Sequence, residues 1–181
     1  MKSIYILLTK SNTIVSRLVR LTTFDKYTHV SISFEENLTP LYSFARHYIY
    51  SPLPAGLRPE YLDSGFFKRY PRIPCALYEL RVEDDAYEAA KRSVEGMMKQ
   101  SERYKFNIIG LLMCRLSIPS NRKNHYFCSE FVSEVLVQSN ALPLPKVPSL
   151  MRPSDYTKLP ALSCCFEGRV EGLLAHQQNR I

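Results

Sequence analysis

Hydrophobic and polar residues alternate most cleanly over residues 29–35, where valine, isoleucine and phenylalanine occupy every second position. This period of two predicts a β-strand with one buried face. A turn-rich segment at 36–40 leads to a second short run at 41–45, so the two runs predict an antiparallel hairpin. A further apolar run at 4–9 predicts a buried strand.

Apolar residues spaced by three and four positions predict amphipathic helices elsewhere in the chain. The strongest of these helices begins at Asp84 and Asp85 and keeps its apolar stripe as far as Met97 or Met98. The remaining predicted elements are a helix from Asn12 or Thr13 to about Thr23, a helix over 107–118, a helical turn around Asp155, and strands over 76–82 and 166–174.

Prolines and aromatic residues interrupt every periodicity between Tyr50 and Pro74, which predicts a long ordered loop. Loops of this length are uncommon in compact domains unless they serve a purpose. The loop is therefore a candidate lid or substrate wall. The alternative is a segment with a purely structural role that packs around the domain.

The composition predicts one ordered domain over residues 1–181, because 45% of the residues are hydrophobic and a chain of this length can bury a substantial core. The net charge of +7 suits an anionic partner, but it is also an ordinary solubility feature. Arg115, Arg122 and Lys123 are not accompanied by a nucleic-acid recognition motif, so nucleic-acid binding is not expected.

The five cysteines are an odd number without paired spacing, which argues against a secreted disulfide framework and favours reduced thiols. There is no CxxC or HExxH motif, and the adjacent Cys164 and Cys165 would point to opposite faces of a strand. Neither a metal site nor a cofactor is expected. The apolar run at 4–8 is too short for a signal peptide or a membrane span, so we expect a cytoplasmic location.

The stretch 125–132 leads from aromatic residues into Cys128, after which apolar residues recur at helical spacing. Cys128 is therefore predicted to open a helix that ends near Asn140, with Glu130 and Glu134 suited to the helix dipole. Backbone N–H groups at a helix N-terminus favour the thiolate, the nucleophilic form of cysteine. The alternative is that Cys128 packs as a small buried hydrophobe, because it lies on the apolar stripe.

A cysteine nucleophile needs a base, and the chain has four histidines. His29 is the best placed, because it starts a predicted strand on the polar face and can project into a cleft. A strand-end histidine bonded to the backbone is the alternative. His125 is either a second possible partner or a loop residue, His47 is expected at the surface, and His176 is expected in a solvated tail.

Residues 26–32 and 126–132, which contain His29 and Cys128, resemble the two signature blocks of the circularly permuted papain-like amidases, the YaeF/YiiX branch of the NlpC-type superfamily. Ordinary papain-like enzymes have the cysteine helix before the histidine strand, whereas the permuted members have the order seen here. Residues 104–107 also resemble the aromatic segment before the helix upstream of the nucleophile. The resemblance implies an α+β fold, with an antiparallel sheet packed against helices and the nucleophile at a helix N-terminus.

The resemblance also implies that Cys128 attacks a carbonyl carbon after His29 takes its proton. The third catalytic position of the family is a polar residue, often a carboxylate, on the strand after the histidine strand. Ser43 is the nearest match, although a hydroxyl orients an imidazole less strongly than a carboxylate does. The backbone N–H of Cys128 and one further donor would hold the oxyanion, at roughly 3 kcal/mol per donor.

The leading functional prediction is a cysteine amidase or peptidase that acts on an amide in a peptide, a cell-wall fragment or a modified side chain. A lipid-directed acyltransferase or esterase is the alternative, because the similar lecithin retinol acyltransferase-like enzymes use the same permuted site. The apolar segment 107–118 and the basic charge would also suit peripheral membrane contact. A non-catalytic binding module on the same fold is the third possibility, favoured by the hydroxyl at Ser43.

Overall fold

The computed structural model describes residues 1–10, 25–46 and 55–178, and within these ranges it has helices and a single sheet. The strands are β1 (Lys2–Thr9), β2 (His29–Ser33), β3 (Leu41–Arg46), β4 (Ala55–Glu60), β5 (Pro74–Val82), β6 (Lys105–Phe106), β7 (His125–Tyr126) and β8 (Ser163–Arg169). The α-helices are α1 (Gly65–Arg69), α2 (Asp84–Met98), α3 (Ile108–Arg115), α4 (Cys128–Gln138) and α5 (Val170–Gln178). Short 3-10 helices cover Ser101–Arg103, Pro148–Leu150 and Pro153–Lys158. The predicted α+β class is therefore confirmed.

The 8-stranded sheet has the order β7-β6-β4-β3-β2-β1-β5-β8. Neighbouring strands are antiparallel except β6 and β7, which run parallel. β1 lies between β2 and β5, and it pairs with β5 from Lys2↔Val82 to Thr9↔Cys75. Its residues 4–8 are buried on both faces of the sheet, which explains why this stretch reads as a continuous apolar run.

The predicted hairpin is confirmed by the antiparallel pairing of β2 with β3, in which Ile32 lies opposite Tyr42. The two strands are followed by β4, which pairs with β3 from Leu41↔Glu60 to Arg46↔Ala55. The hairpin is thus part of a three-stranded antiparallel unit, and its third strand ends at Glu60.

Two apolar cores lie on opposite faces of the sheet. The larger core includes Ile32 and Phe44 of the hairpin together with buried side chains of α2 and α4. The smaller core includes Leu41 and Leu77 together with side chains from α1 and α5. Because β-strand side chains alternate between faces, β3 supplies both cores, whereas the apolar residues Val30 and Ile32 of β2 both lie in the larger core.

Several predicted helices and strands have the expected positions. α2 starts at Asp84 and ends at Met98, α3 lies within the predicted 107–118 helix, and α4 starts at Cys128. The predicted turn around Asp155 is a 3-10 helix over Pro153–Lys158. The predicted helix over 12–23 lies outside the described residues.

Two predictions from the sequence were wrong. The segment from 50 to 74 is not a single long loop, because its described part contains β4 and α1. Pro59 sits inside β4 opposite Tyr42, so a proline that suggested a loop is accommodated in a strand. The predicted strand over 166–174 is the end of β8 followed by α5, so a helix begins at Val170 where we predicted that the strand continues.

The two edges of the sheet are both irregular. β7 contains the two residues His125 and Tyr126. β8, at the other edge, pairs with β5 through a register shift between Leu77 and Tyr78. Among the described helices, none is both long enough and apolar enough to cross a membrane.

Candidate active site

Cys128 is the first residue of α4, and it is half-buried at the border of the larger core. Phe127 precedes it in an extended conformation as the N-cap. The carboxylate of Glu130 accepts a hydrogen bond from the backbone N–H of Phe127 at 3.3 Å, which is the reciprocal half of a capping box. The backbone that leads into the nucleophile helix is therefore fixed by a side chain of the first helical turn.

Glu130 is 5% exposed and joins α4 to the start of α3. Its Oε2 accepts a second hydrogen bond, at 3.2 Å, from Nδ2 of Asn107, and Oδ1 of Asn107 accepts from the N–H of Gly110 at 2.9 Å. Burial raises the pKa of Glu130 to about 7, although the hydrogen bonds from Asn107 and Phe127 oppose the shift. Asn107 thus caps α3 and supports the carboxyl group beneath Cys128 at the same time.

The opposite side of the first turn of α4 is held by the segment 151–156. Ser129 donates through its Oγ to the carbonyl oxygen of Met151 at 2.7 Å. The hydroxyl of Tyr156 donates to the carbonyl oxygen of Ser129 at 3.1 Å and lies 2.7 Å from Oγ of Ser133. Tyr156 is fully buried, so these bonds satisfy its hydroxyl without water.

The side chain of Cys128 lies close enough to the His29 imidazole to raise its pKa, through a hydrogen bond and through its charge. His29 starts β2, and the side chain is 15% exposed. The structure therefore brings together the two residues that the sequence predicts as nucleophile and base, although 98 residues lie between them in the chain.

The carboxylate of Glu60 is the second partner of the His29 ring. Nε2 of His29 lies 2.8 Å from Oε2 of Glu60, and Oγ of Ser31 donates to the same oxygen at 2.7 Å. A carboxylate only accepts hydrogen bonds, so Nε2 carries a proton and Nδ1 is the nitrogen left for the thiol. Glu60 thereby fixes both the orientation and the tautomer of the ring.

The charges of this pair stabilise each other in a site with little solvent. Burial acts to lower the pKa of His29, but the charge of Glu60 and the contact with Cys128 outweigh it, and the pKa rises to about 10. Burial acts to raise the pKa of Glu60, but the charge of His29 and the bonds from His29 and Ser31 hold that pKa below its ordinary value. Glu60 therefore favours the imidazolium form of His29 in the resting site.

Ser43, which the sequence suggested as the orienting group, has a different partner. Its buried hydroxyl donates to the carbonyl oxygen of Val30 at 2.6 Å, a bond between β3 and β2. Among the hydrogen bonds of the described residues, those of the His29 ring at Nε2 go to Glu60 and Ser31. The contact expected from Ser43 is thus made by Glu60 instead, one strand further along the chain.

The other histidines differ from His29 in their surroundings. His125 lies on β7, and its Nδ1 is 2.8 Å from the carbonyl oxygen of Lys123. His176 is not in a solvated tail as predicted, because it lies in α5 with its ring 5.5 Å from that of Phe166. His47 lies outside the described residues.

Glu60 is the site residue that the sequence reasoning missed. The sequence pattern places Glu60 in the predicted 50–74 loop, because Pro59 and nearby prolines interrupt the periodicity of the strand that carries it. One signal was present, since Glu60 is the only acidic residue between Glu36 and Asp63. A lone carboxylate after a histidine strand is the residue type that orients an imidazole.

The described residues include no group of three or more histidine, cysteine, aspartate or glutamate side chains arranged to hold a metal ion. Comparison with models of protein families, with curated proteins and with solved structures found no match for this chain.

Proposed function

We propose that this protein is a cysteine-dependent hydrolase that cleaves an amide bond through a thioester intermediate. The observation that carries the proposal is that His29 has both Cys128 and Glu60 as partners. This is the arrangement of nucleophile, base and orienting carboxylate that acyl transfer requires. A peptide, a cell-wall fragment and a modified side chain are the proposed classes of substrate.

We further propose that the domain is a permuted papain-like fold. Three features support this assignment: the histidine strand β2 precedes the cysteine helix in the chain, the nucleophile is the first residue of α4, and the sheet beside it is largely antiparallel. The five cysteines are all free, which supports a reducing, cytoplasmic location as part of the same proposal.

The first half of the proposed reaction forms the acyl-enzyme. The Cys128 thiolate, paired with the His29 imidazolium, attacks the carbonyl carbon and forms a C–S bond, while the carbonyl electrons move to oxygen. The N–H groups at the start of α4 lack partners within the helix and stabilise this oxyanion. When the intermediate collapses, the C–N bond breaks and the imidazolium proton passes to the leaving amine.

The second half restores the enzyme. Water adds to the thioester carbon while the neutral His29 accepts its proton at Nδ1, and the C–S bond then breaks to release a carboxylic acid and the thiolate. Glu60 stabilises the imidazolium in both halves through its bond to Nε2. An ester passes through the same steps with an alcohol as the leaving group, so the test includes both substrate types.

The test is the pH dependence of alkylation by iodoacetamide, followed by peptide mass at each cysteine. Cys164 is exposed and serves as an internal reference within the same molecule. A free thiol loses its thiolate below about pH 8.5, so we expect the ratio of Cys128 to Cys164 labelling to rise as the pH falls below that value. Below that pH, the Cys128 to Cys164 labelling ratio should fall at least about tenfold in His29→Ala. It should fall by less in Glu60→Gln, where the imidazolium loses a hydrogen bond to a carboxylate that stabilises it by about 1–2 kcal/mol.

The same experiment distinguishes Glu60 from Ser43. Ser43→Ala should keep the wild-type ratio, because its hydroxyl bonds to the backbone of β2. A drop in Ser43→Ala with no drop in Glu60→Gln would return the orienting role to Ser43. Equal labelling of Cys128 and Cys164 at all pH values in the wild type would remove the catalytic proposal and leave a binding module.

A further inference from the structure

Helix α3 and the residues after it expose a row of large apolar side chains. Ile108, Ile109, Leu112, Leu116 and Ile118, here called the α3 patch, are between 41% and 71% exposed. Residues 108, 112 and 116 are four apart and therefore align along one side of the helix. Scattered single hydrophobic residues are normal on protein surfaces, but a contiguous row marks an interaction site.

The α3 patch is held by fixed contacts beneath it. Gly110 and Cys114 are buried on the other side of α3. Asn107 caps the helix start, and Nη2 of Arg152 donates to the carbonyl oxygen of Cys114 at 3.3 Å near its end. Both ends of α3 are therefore bonded to the rest of the fold. These bonds fix the rotation of the helix, so the side that carries the α3 patch faces solvent.

The stretch of chain that carries the α3 patch is basic, although Arg115 of α3 is paired with the carboxylate of Asp25 at 3.8 Å. No acidic residue occurs between Glu102 and Glu130. The basic residues Lys105, Arg122 and Lys123 are exposed.

Backbone pairing brings these cations to one place, because the N–H of Lys105 donates to the carbonyl oxygen of Asn124 at 2.8 Å. Lys105 on β6 therefore lies beside the segment that contains Arg122 and Lys123. Among the described residues none of these three forms an ion pair, whereas Lys2, Lys91 and Lys146 are each paired with a carboxylate elsewhere on the surface.

We propose that the α3 patch docks on the surface of an anionic lipid bilayer. A short helix with apolar residues on its outer side and cations beside it fits the boundary between acyl chains and negatively charged headgroups. A second copy of the chain fits this face less well, because a symmetric dimer would bring the same cationic residues towards each other. The charge of the patch thus favours a lipid surface over self-association.

Docking would place the candidate active site next to the bilayer. α3 and α4 follow the parallel strands β6 and β7, and the N–H of Asn107 donates to the carbonyl oxygen of Tyr126 at 3.0 Å. The start of α3 therefore lies next to the strand that leads into Cys128. Docking itself uses no catalytic residue, so it stands or falls separately from the proposed hydrolase function.

The test is co-sedimentation of the full chain with vesicles of phosphatidylcholine alone and of phosphatidylcholine mixed with phosphatidylserine. We expect binding to the mixed vesicles that weakens as salt is added. Leu112→Asp should reduce it at least about tenfold, because it removes an inserted side chain and adds a negative charge. Val137→Asp is the matched control, since Val137 is an exposed apolar residue on another helix.

A second pair of variants tests the charge without touching the apolar row. Arg122→Glu combined with Lys123→Glu should also reduce binding at least about thirtyfold, at ~1 kcal/mol for each of the two cations lost. Lys68→Glu combined with Arg69→Glu is the matched control, because these adjacent basic residues are exposed at the end of α1. Cys128→Ala should bind as the wild type does.

Three outcomes would overturn the proposal. The first is no sedimentation with mixed vesicles, and the second is an equal loss in Leu112→Asp and Val137→Asp. The third is a dimer in analytical ultracentrifugation that Leu112→Asp dissociates, which would assign the α3 patch to a second copy. Circular dichroism of each variant shows whether a loss of binding is a loss of fold.

Discussion

Helices α3 and α4 begin in the same way, but their apolar side chains lie in opposite environments. Each follows a two-residue strand, and the two strands lie side by side in parallel. The side chains of Asn107 and Glu130, one from the start of each helix, are bonded to each other. Yet α4 buries most of its apolar residues against the sheet, whereas on α3 the buried residues are Gly110 and Cys114.

The difference shows that the amount of apolar surface on a helix does not determine how it is used. α4 packs Phe131 and Val132 into the larger core and holds Cys128 at its start. α3 covers little of the core and leaves the side chains of Ile108, Ile109 and Leu112 exposed. One helix stabilises the fold beneath the nucleophile, and the other is available for a partner.

The largest difference between the two helices is expected in how much their apolar side chains contribute to the free energy of unfolding. Phe131 is fully buried, with its ring 5.4 Å from that of Phe44, so Phe131→Ala should lower the free energy of unfolding by about 3–5 kcal/mol. Leu112 is 52% exposed, and Leu112→Ala should change it by no more than about 0.5 kcal/mol. Urea unfolding measures both variants. Similar losses would mean that α3 packs against the fold as α4 does.

The next effect concerns the carboxyl group that joins the helices. The pKa of Glu130 is raised from 4.5 to about 7, so its contribution to stability is complete at low pH and is lost as the pH rises through that range. Relative to Glu130→Gln, the wild type should lose roughly 3 kcal/mol between about pH 4.5 and pH 7. Unfolding free energies of both proteins across this range give the difference.

The pKa of Glu60 shifts in the direction opposite to that of Glu130, so Glu60→Gln is a control within the same protein. The pKa of Glu60 is lowered, so its contribution is present above pH 4.5 and is lost as the pH falls further. The advantage of the wild type over Glu60→Gln should therefore shrink towards acid pH, while its advantage over Glu130→Gln grows. Parallel trends for the two variants would contradict both assignments.

The smallest effect tests the cap of α3. A methyl group at Gly110 would come within 2.1 Å of Nδ2 of Asn107, so Gly110→Ala should displace the cap and lower the free energy of unfolding by about 1–2 kcal/mol. Gly96 in α2 has no neighbouring atom within 4 Å of that position. Gly96→Ala should therefore stabilise the protein by about 0.5–1 kcal/mol through helix propensity. A stabilising Gly110→Ala would show that Asn107 is not held against α3.

The start of the nucleophile helix could be predicted from sequence because its signal is local. The apolar spacing after Cys128 and the acidic residue at position 130 lie within one or two turns of the helix. The alternation that begins at His29 is equally local, and it placed the histidine at the start of a strand.

Glu60 and the α3 patch depend on contacts between distant parts of the chain. Glu60 reaches His29 across the hairpin, and Pro59 hides its strand from any periodic pattern. The helical pattern at 108–115 predicted α3, but which of its faces is covered depends on where β6 joins the sheet. A periodicity identifies an element, whereas its partner is chosen by the tertiary fold.

The irregular edges of the sheet also affect whether copies of the protein can aggregate. A long, straight edge strand is a template on which another copy of the chain can pair, and such pairing leads to aggregation. Here one edge, β7, has two residues, and the strand at the other edge is distorted where its register with β5 shifts between Leu77 and Tyr78. Among the described strands neither edge offers a long regular ladder, so the apolar central strands are shielded from intermolecular β-pairing.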